Sequence, residues 1–305
     1  MILTVTPNPA LDITYALPRL RPHTSHRVDA VHEQAGGKGV NVARVLHALG
    51  RPTTAVLPLG GATGAAVEAD LGRAGLSGLP VPLAGGVTRR TVAVVDEQDA
   101  TLLNEPGPEL SPAEWEALRL AVAGLLPGSR ALVLSGSLPG GVQPDAYAGL
   151  VRLARERGVP VVLDAAGPAL TEALGARPTV IKPNAAELRE ATGLDDPLAA
   201  ARQLLAAGAR TVVASLGPDG LLAVTPAGAR RAFLTPPAEI RGNPTGAGDA
   251  AVAALAFSLA DGAPLPVALS HAVALSAATV HAPYAGRFDQ QQYQRYLTRV
   301  QVVPA

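Results

Sequence analysis

Apolar positions along this chain follow two alternating rhythms. Short runs rich in Val, Ile and Leu end in small or polar residues: ILTV at 2–5, TAVLPLG at 54–60, ALVLSGS at 131–137, PVVLDAA at 160–166, TVIKPN at 179–184 and TVVASLG at 211–217. Between them lie VNVARVLHALG (40–50), GAAVEADLGRAG (64–75), PDAYAGLVRLARERG (144–158) and PLAAARQLLAAG (197–208), with apolar residues at helical spacing and a closing glycine. Strands that are apolar on both faces need cover on both faces. The alternation therefore predicts an α/β fold, a layered α/β/α domain around a mainly parallel central sheet. In such sheets ligands bind beyond the carboxyl ends of the strands.

Two segments break the rhythm, ITYALPRLRPHTSHRVDAVHE at 13–33 and VTRRTVAVVDEQDATLLN at 87–104. The second predicts a hairpin, with polar DEQDA between two β-type runs. Together they are expected to form a small β-sheet lid inserted into a single domain spanning 1–305.

Composition narrows the partners. With 305 residues, 48% of them hydrophobic, the chain can bury one large core. Twenty-five basic and 25 acidic residues cancel, so nothing sequence-wide attracts nucleic acid or an anionic membrane, and any anion site must be local. The absence of cysteine removes disulfides and thiolate metal sites and fits a reducing compartment. The amino terminus lacks the pattern of a signal peptide, and no apolar run reaches 18 residues, so a cytoplasmic protein is expected. Among the 25 basic residues only Lys38 and Lys182 are lysines. Where arginine serves every other need, these two mark positions that require a compact ammonium.

NPTGAGDA, residues 243–250, opens the apolar stretch DAAVAALAFSLA. Free backbone amides and the positive end of the dipole make a helix start attractive to anions, and glycines let a phosphoryl group approach the backbone closely. The amides of Gly246, Ala247 and Gly248 form such a place. Asp249 beside it could accept the proton of a hydroxyl that attacks phosphorus; aspartates near helix starts also serve simply as caps. AGGKGVNVARVLHALG at 35–50 is a second glycine-rich helix start and holds Lys38. LSGSLPGG (134–141), VIKPNAAEL (180–188) and ASLGPDG (214–220) each end a strand in small or polar residues.

Taken together and in this order, TPNPALD, AGGKGVNVAR, TRRT, NEPGP, LSGSLPGGV, VIKPNAAEL and TGAGD resemble the PfkB (ribokinase-like) family of carbohydrate kinases. The likeness is strongest to its phosphosugar branch, which includes 1-phosphofructokinase, tagatose-6-phosphate kinase and a minor 6-phosphofructokinase. The resemblance implies ATP-dependent transfer of the γ-phosphoryl group to a primary hydroxyl of a ketohexose phosphate. It implies Asp249 as base, Gly246, Ala247 and Gly248 as anion hole, and Asp12, Gly37 and Asn41 as sugar contacts. Read without the resemblance, Asp12 is a turn residue. The acceptor's own phosphate is expected on Lys38, Arg89 and Arg27 with Ser137. For ATP and Mg2+ the resemblance implies Lys182, Asn184, Glu187 (to the metal through water), Ser215, Gly217, Gly220 and Asn243. Two departures stand out: TRRT puts Thr91 where relatives often carry an amide, and Pro244 stiffens the approach to GAGD. A catalytically silent sugar-phosphate sensor is the alternative outside enzymes, against which the intact GAGD and N-x-x-E argue. Exposed lid strands favour a homodimer through the lid.

Overall fold

The structure is a computed structural model and describes residues 1–97, 100–235, 240 and 242–305. Its strands are Ile2–Val5 (β1), Ala10–Ala16 (β2), Ala30–Gly36 (β3), Thr53–Leu59 (β4), Ser77–Pro82 (β5), Arg89–Val95 (β6), Ala100–Asn104 (β7), Ala131–Ser135 (β8), Val161–Asp164 (β9), Val180–Ile181 (β10), Val212–Ser215 (β11), Leu221–Thr225 (β12), Gly228–Leu234 (β13) and Val300–Pro304 (β14). The helices are Lys38–Ala48 (α1), Gly61–Arg73 (α2), Pro112–Leu125 (α3), Ala146–Glu156 (α4), Gly167–Leu174 (α5), Ala185–Thr192 (α6), Pro197–Ala206 (α7), Ala247–Ala260 (α8), Leu265–Thr279 (α9) and Gln290–Leu297 (α10).

Ten strands form the main sheet in the order β14-β13-β12-β11-β10-β9-β8-β1-β4-β5. From β5 to β11 all neighbours run parallel, and β12, β13 and β14 add an antiparallel edge. The period-two rule of a strand sorts side chains to opposite layers. In β8, Leu132 and Leu134 join the core beneath α3 to α7, while Ala131 and Val133 join the core beneath α1, α8, α9 and α10. Strand β10 is only two residues long because Lys182 is followed by Pro183, which has no N–H to give a ladder. Helices α8 and α9 are alanine-rich and apolar all round, and both are buried in the second layer. Among the described residues no helix is long and apolar enough to cross a membrane.

A second sheet of four strands, in the order β3-β2-β6-β7, projects from the domain. Its strands begin at Ala10 and end at Gly36, wider than the expected 13–33, because Asp12 and Gln34 pair across β2 and β3 instead of lying in turns. The hairpin of β6 and β7 forms as expected; residues 98 and 99, the centre of DEQDA, lie outside the described residues. Leu11, Ile13 and Ala35 pack one face of this sheet on Val40, Val67 and Leu71 of α1 and α2. On the opposite face Gln34, Asp12, Thr91 and Asn104 stand in one cross-strand row.

Candidate active site

The carboxyl ends of β1, β8, β9, β10 and β11 lie along one edge of the parallel sheet, facing the starts of α1, α6 and α8. Gly246 precedes α8 in a left-handed conformation, φ 87°, which a β-carbon would strain. Space is short as well, since a β-carbon there would stand 3.1 Å from Ala285 Cα. The turn therefore presents the amides of Gly246 and Gly248 at the helix start, while the Ala247 N–H is given to Pro244 O at 3.1 Å.

Asp249 sits in the first turn of α8 and is 7% exposed. Its Oδ2 accepts a 2.8 Å hydrogen bond from Asn41 Nδ2 on α1, so its carboxylate is turned across the site and not spent on capping its own helix. Burial pushes its pKa up to about 7, helped by the negative charge of Asp164 and opposed by the Asn41 hydrogen bond and by Lys38 and Lys182. Asn41 Oδ1 is buried without a hydrogen-bond partner, an acceptor waiting for a donor.

Both lysines converge on this place. Lys38 Nζ lies 3.3 Å from Asp164 Oδ2 and 3.9 Å from Glu187 Oε1, with its side chain 42% exposed. Lys182 Nζ lies 3.3 Å from Asp164 Oδ1 and is buried. Gly248 lies against it: a β-carbon there would stand in ordinary contact, 3.5 Å from that ammonium. Asp164, at the end of β9, is 1% exposed and also accepts a 3.2 Å hydrogen bond from Ser135 Oγ. Burial alone would raise its pKa, but the two ammonium groups outweigh burial and hold it below the ordinary value. Burial likewise opposes the charge on Lys38, yet Asp164, Glu187 and Asp249 carry its pKa above the ordinary lysine value. Asp164 closes the run PVVLDAA, which the sequence marks as a strand without marking its last acid as chemistry.

Asp12 lies on β2 facing the cleft. Its carboxyl occupies the space a side chain at Gly36 would fill, 2.0 to 2.3 Å from the position of a β-carbon there. Burial raises its pKa to about 6, against Arg89, a hydrogen bond from Thr91 and Arg44. Arg89 gives Nε and Nη2 to the main-chain oxygen of Asn8, both at 3.4 Å, and Nη1 to Thr91 Oγ1 at 3.2 Å. Ser137 Oγ accepts from Asn8 Nδ2 at 3.1 Å. The glycine loop before α1 is fixed from behind. Asp70 Oδ2 accepts from Ala35 N at 2.8 Å and from Arg44 Nη2, while Arg44 also reaches Ala35 O at 3.4 Å. Gly37, φ 102°, then turns the chain into α1.

The remaining candidates fall in two groups. Asn184 and Glu187 close a capping box at the start of α6: Asn184 Oδ1 accepts from Glu187 N and Glu187 Oε2 from Asn184 N, both at 2.8 Å. Ser215 bridges to Asn184 from the end of β11, and Gly217 and Gly220, φ 61° and 82°, carry the turn that follows. Asn243 lines a cleft with Asp12, Thr91, Tyr284 and Ala285; its side chain accepts from Thr245 N at 3.0 Å and donates to Pro283 O at 3.4 Å. Gln34 lines the same cleft and gives Nε2 to Ala285 O at 3.1 Å, a link between the small sheet and the loop behind Gly246 that the sequence does not disclose. Arg27 is exposed in the turn-rich segment between β2 and β3, with no hydrogen bond or ion pair to the cluster.

A profile of the pfkB family of carbohydrate kinases matches residues 7–291. The chain belongs to that family. It is 36% identical over 303 residues to the ATP-dependent 6-phosphofructokinase isozyme 2 of Mycobacterium tuberculosis, covering 97% of this chain and 88% of the relative. It is 40% identical over 262 residues to the 1-phosphofructokinase of Rhodobacter capsulatus, covering 83% and 82%. Its fold matches the phosphofructokinase-2 of Escherichia coli in complex with fructose-6-phosphate, with a TM-score of 0.88 at 31% identity over 97% of this chain and 98% of that one. The layered α/β/α fold expected from the alternating pattern, and the ribokinase-like form of it that the resemblance implied, are thus the fold observed, and this pfkB chain is an ATP-dependent kinase of the sugar-phosphate kind.

Proposed function

We propose that this chain transfers the γ-phosphoryl group of ATP to a primary hydroxyl of a ketohexose phosphate, with fructose 1-phosphate as the first choice of acceptor. The observation that carries the reading is Asp249: a buried carboxylate held by Asn41, beside bare helix-start amides and flanked by Lys38 and Lys182. A carboxylate whose pKa lies near 7 is matched to taking a hydroxyl proton at neutral pH. Asp12 and the unpartnered Asn41 Oδ1 would accept from sugar hydroxyls and set that hydroxyl against the base. The exposed tip of Lys38, Arg89 and Ser137 would take the acceptor's phosphate, and Arg27 would join them only from a moved segment or another copy. Lys182 would face the ATP side. The amides of Gly246 and Gly248, joined by that of Ala247 if its bond to Pro244 O is released, would take the charge that develops during transfer.

Magnesium fits this site only loosely. Among the described residues no group of three acidic or histidine side chains gathers, and one oxygen of Glu187 is engaged by the Asn184 amide. That suits a Mg2+ that keeps waters and phosphate oxygens as its ligands, with Glu187 touching it through water. Bound with ATP, it would neutralise charge on the phosphate oxygens. Ser215, Gly217, Gly220, Asn184 and Asn243 would line the nucleotide's path or steady it.

The four-stranded sheet would act as a lid on the sugar. On the face that carries Leu11 and Ile13, the edge strands leave Val31 and Leu103 exposed, 58% each, which supports pairing with a second copy of this chain. A coupled assay with fructose 1-phosphate, fructose 6-phosphate, tagatose 6-phosphate and free fructose tests the reading. We expect one phosphorylated ketohexose to give a kcat/KM at least about 100-fold above free fructose, since bonds to a bound charge contribute about 1.5–3 kcal/mol each. Equal use of free fructose would overturn it. The 36% relative named as a 6-phosphofructokinase keeps fructose 6-phosphate as the second reading.

A further inference from the structure

Resting on the phosphosugar reading above, we propose that Asn8 is the positioning residue of the acceptor-phosphate subsite, aiming both the Arg89 guanidinium and the Ser137 hydroxyl at the phosphate. Asn8 sits between Pro7 and Pro9 on the crossing from β1 to β2, so its main chain is held on both sides by rings that fix φ. Its carbonyl oxygen takes two of the five N–H groups of Arg89, and Thr91 takes a third. What remains is one N–H on each terminal nitrogen, two donors left for phosphate oxygens.

The side chain does the same for Ser137. Nδ2 donates to Ser137 Oγ at 3.1 Å, which fills an acceptor position on the hydroxyl and leaves its own O–H free to donate elsewhere. Asn8 Oδ1 is buried without a partner, so nothing in the described structure draws the amide the other way. Gly107, in the NEPGP turn, makes room: a β-carbon there would stand 2.0 Å from Asn8 Oδ1. One residue thus anchors two donors from segments 48 positions apart and leaves both with hydrogens to spare for an anion. An aspartate of the same shape would reverse the arrangement, accepting from Ser137 and adding a negative charge beside the phosphate.

The test is a set of variants, Asn8→Asp, Asn8→Ala, Ser137→Ala and the double Asn8→Ala/Ser137→Ala. The readouts are KM for the phosphorylated acceptor, KM for ATP, kcat, and inhibition by inorganic phosphate. We expect Asn8→Asp to raise acceptor KM at least about tenfold, with a smaller change in kcat and in KM for ATP, and phosphate inhibition to weaken in parallel. Asn8→Ala should raise acceptor KM about three- to tenfold alone and add nothing on the Ser137→Ala background, because both act through one hydroxyl. Independent, multiplying effects of the two alanines, or an Asn8→Asp enzyme with unchanged acceptor KM, would overturn the proposal. If Asn8→Ala melts early, the isosteric Asn8→Asp decides alone. A native enzyme that uses free and phosphorylated sugars equally well removes the phosphosugar reading itself, a separate outcome visible before any variant is made.

Discussion

Replacing Asp249 with asparagine should stabilise this protein while disabling it. The carboxyl is buried and its pKa is raised from the ordinary 3.8 to about 7, first by burial and then by Asp164. A folded pKa above the unfolded one means the fold binds the proton more tightly. The favourable contribution is therefore complete below pH 3.8 and is lost as pH rises to about 7. Above that, the ionised group costs the fold about 4 kcal/mol, an upper figure for a site flanked by two lysines. Asparagine keeps the volume, can still accept from Asn41 and carries no charge to bury. Urea unfolding of both proteins at several pH values should show Asp249→Asn nearly equal to the native chain near pH 4 and more stable by up to about 4 kcal/mol at pH 8. In the coupled assay kcat should fall at least about 100-fold, the lower end for a positioned base. The native kcat/KM should rise with pH through about 7. A variant that gains no stability between pH 4 and 8, or keeps kcat within about tenfold, refutes the assignment of a strained, buried base.

Three further perturbations probe the surroundings. Asp164→Asn removes the charge that raises Asp249 and frees Lys38 and Lys182 to lower it further, so the acid limb of kcat/KM should move to lower pH as measured by a pH profile. Asp70→Asn weakens the part-buried pair with Arg44 behind Ala35 and should cost about 1–2 kcal/mol in chemical unfolding. Leu103→Glu, at the exposed edge of the small sheet, should shift a dimer to monomer in light scattering while leaving the monomer's melting temperature within a few degrees.

The parallel sheet was legible because its signal is local. Buried β-branched runs such as Ala131–Ser135 and Val161–Asp164 reach hydrophobic density on both faces, which short-range pattern captures. The antiparallel edge, β12 to β14, was not: β12 and β13 form a local hairpin that the pattern passed over, and β14 joins it by pairing as distant as Leu234 with Val300, which no window of sequence contains. The helix-start reading of GAGD and the interest of the two lysines came from chemistry that neighbours in sequence impose. Asp12, Asn41 and Arg89 needed the family resemblance, because their meaning depends on strands meeting across the cleft. Asp164 and Asn8 escaped altogether. One ends an ordinary apolar strand and the other lies between prolines, and only the fold reveals what each holds.

Helix α8, which carries Asp249, is buried on every side among alanines and lies against α9 with little side chain between the two backbones. Such an element has little slack, because it is buried along its length and most of the side chains around it are too short to swing aside. The proposed proton acceptor is in that sense bolted to the frame of the molecule. On the proposed function, whatever travel brings the reacting oxygen into range would fall to the thinner four-stranded layer.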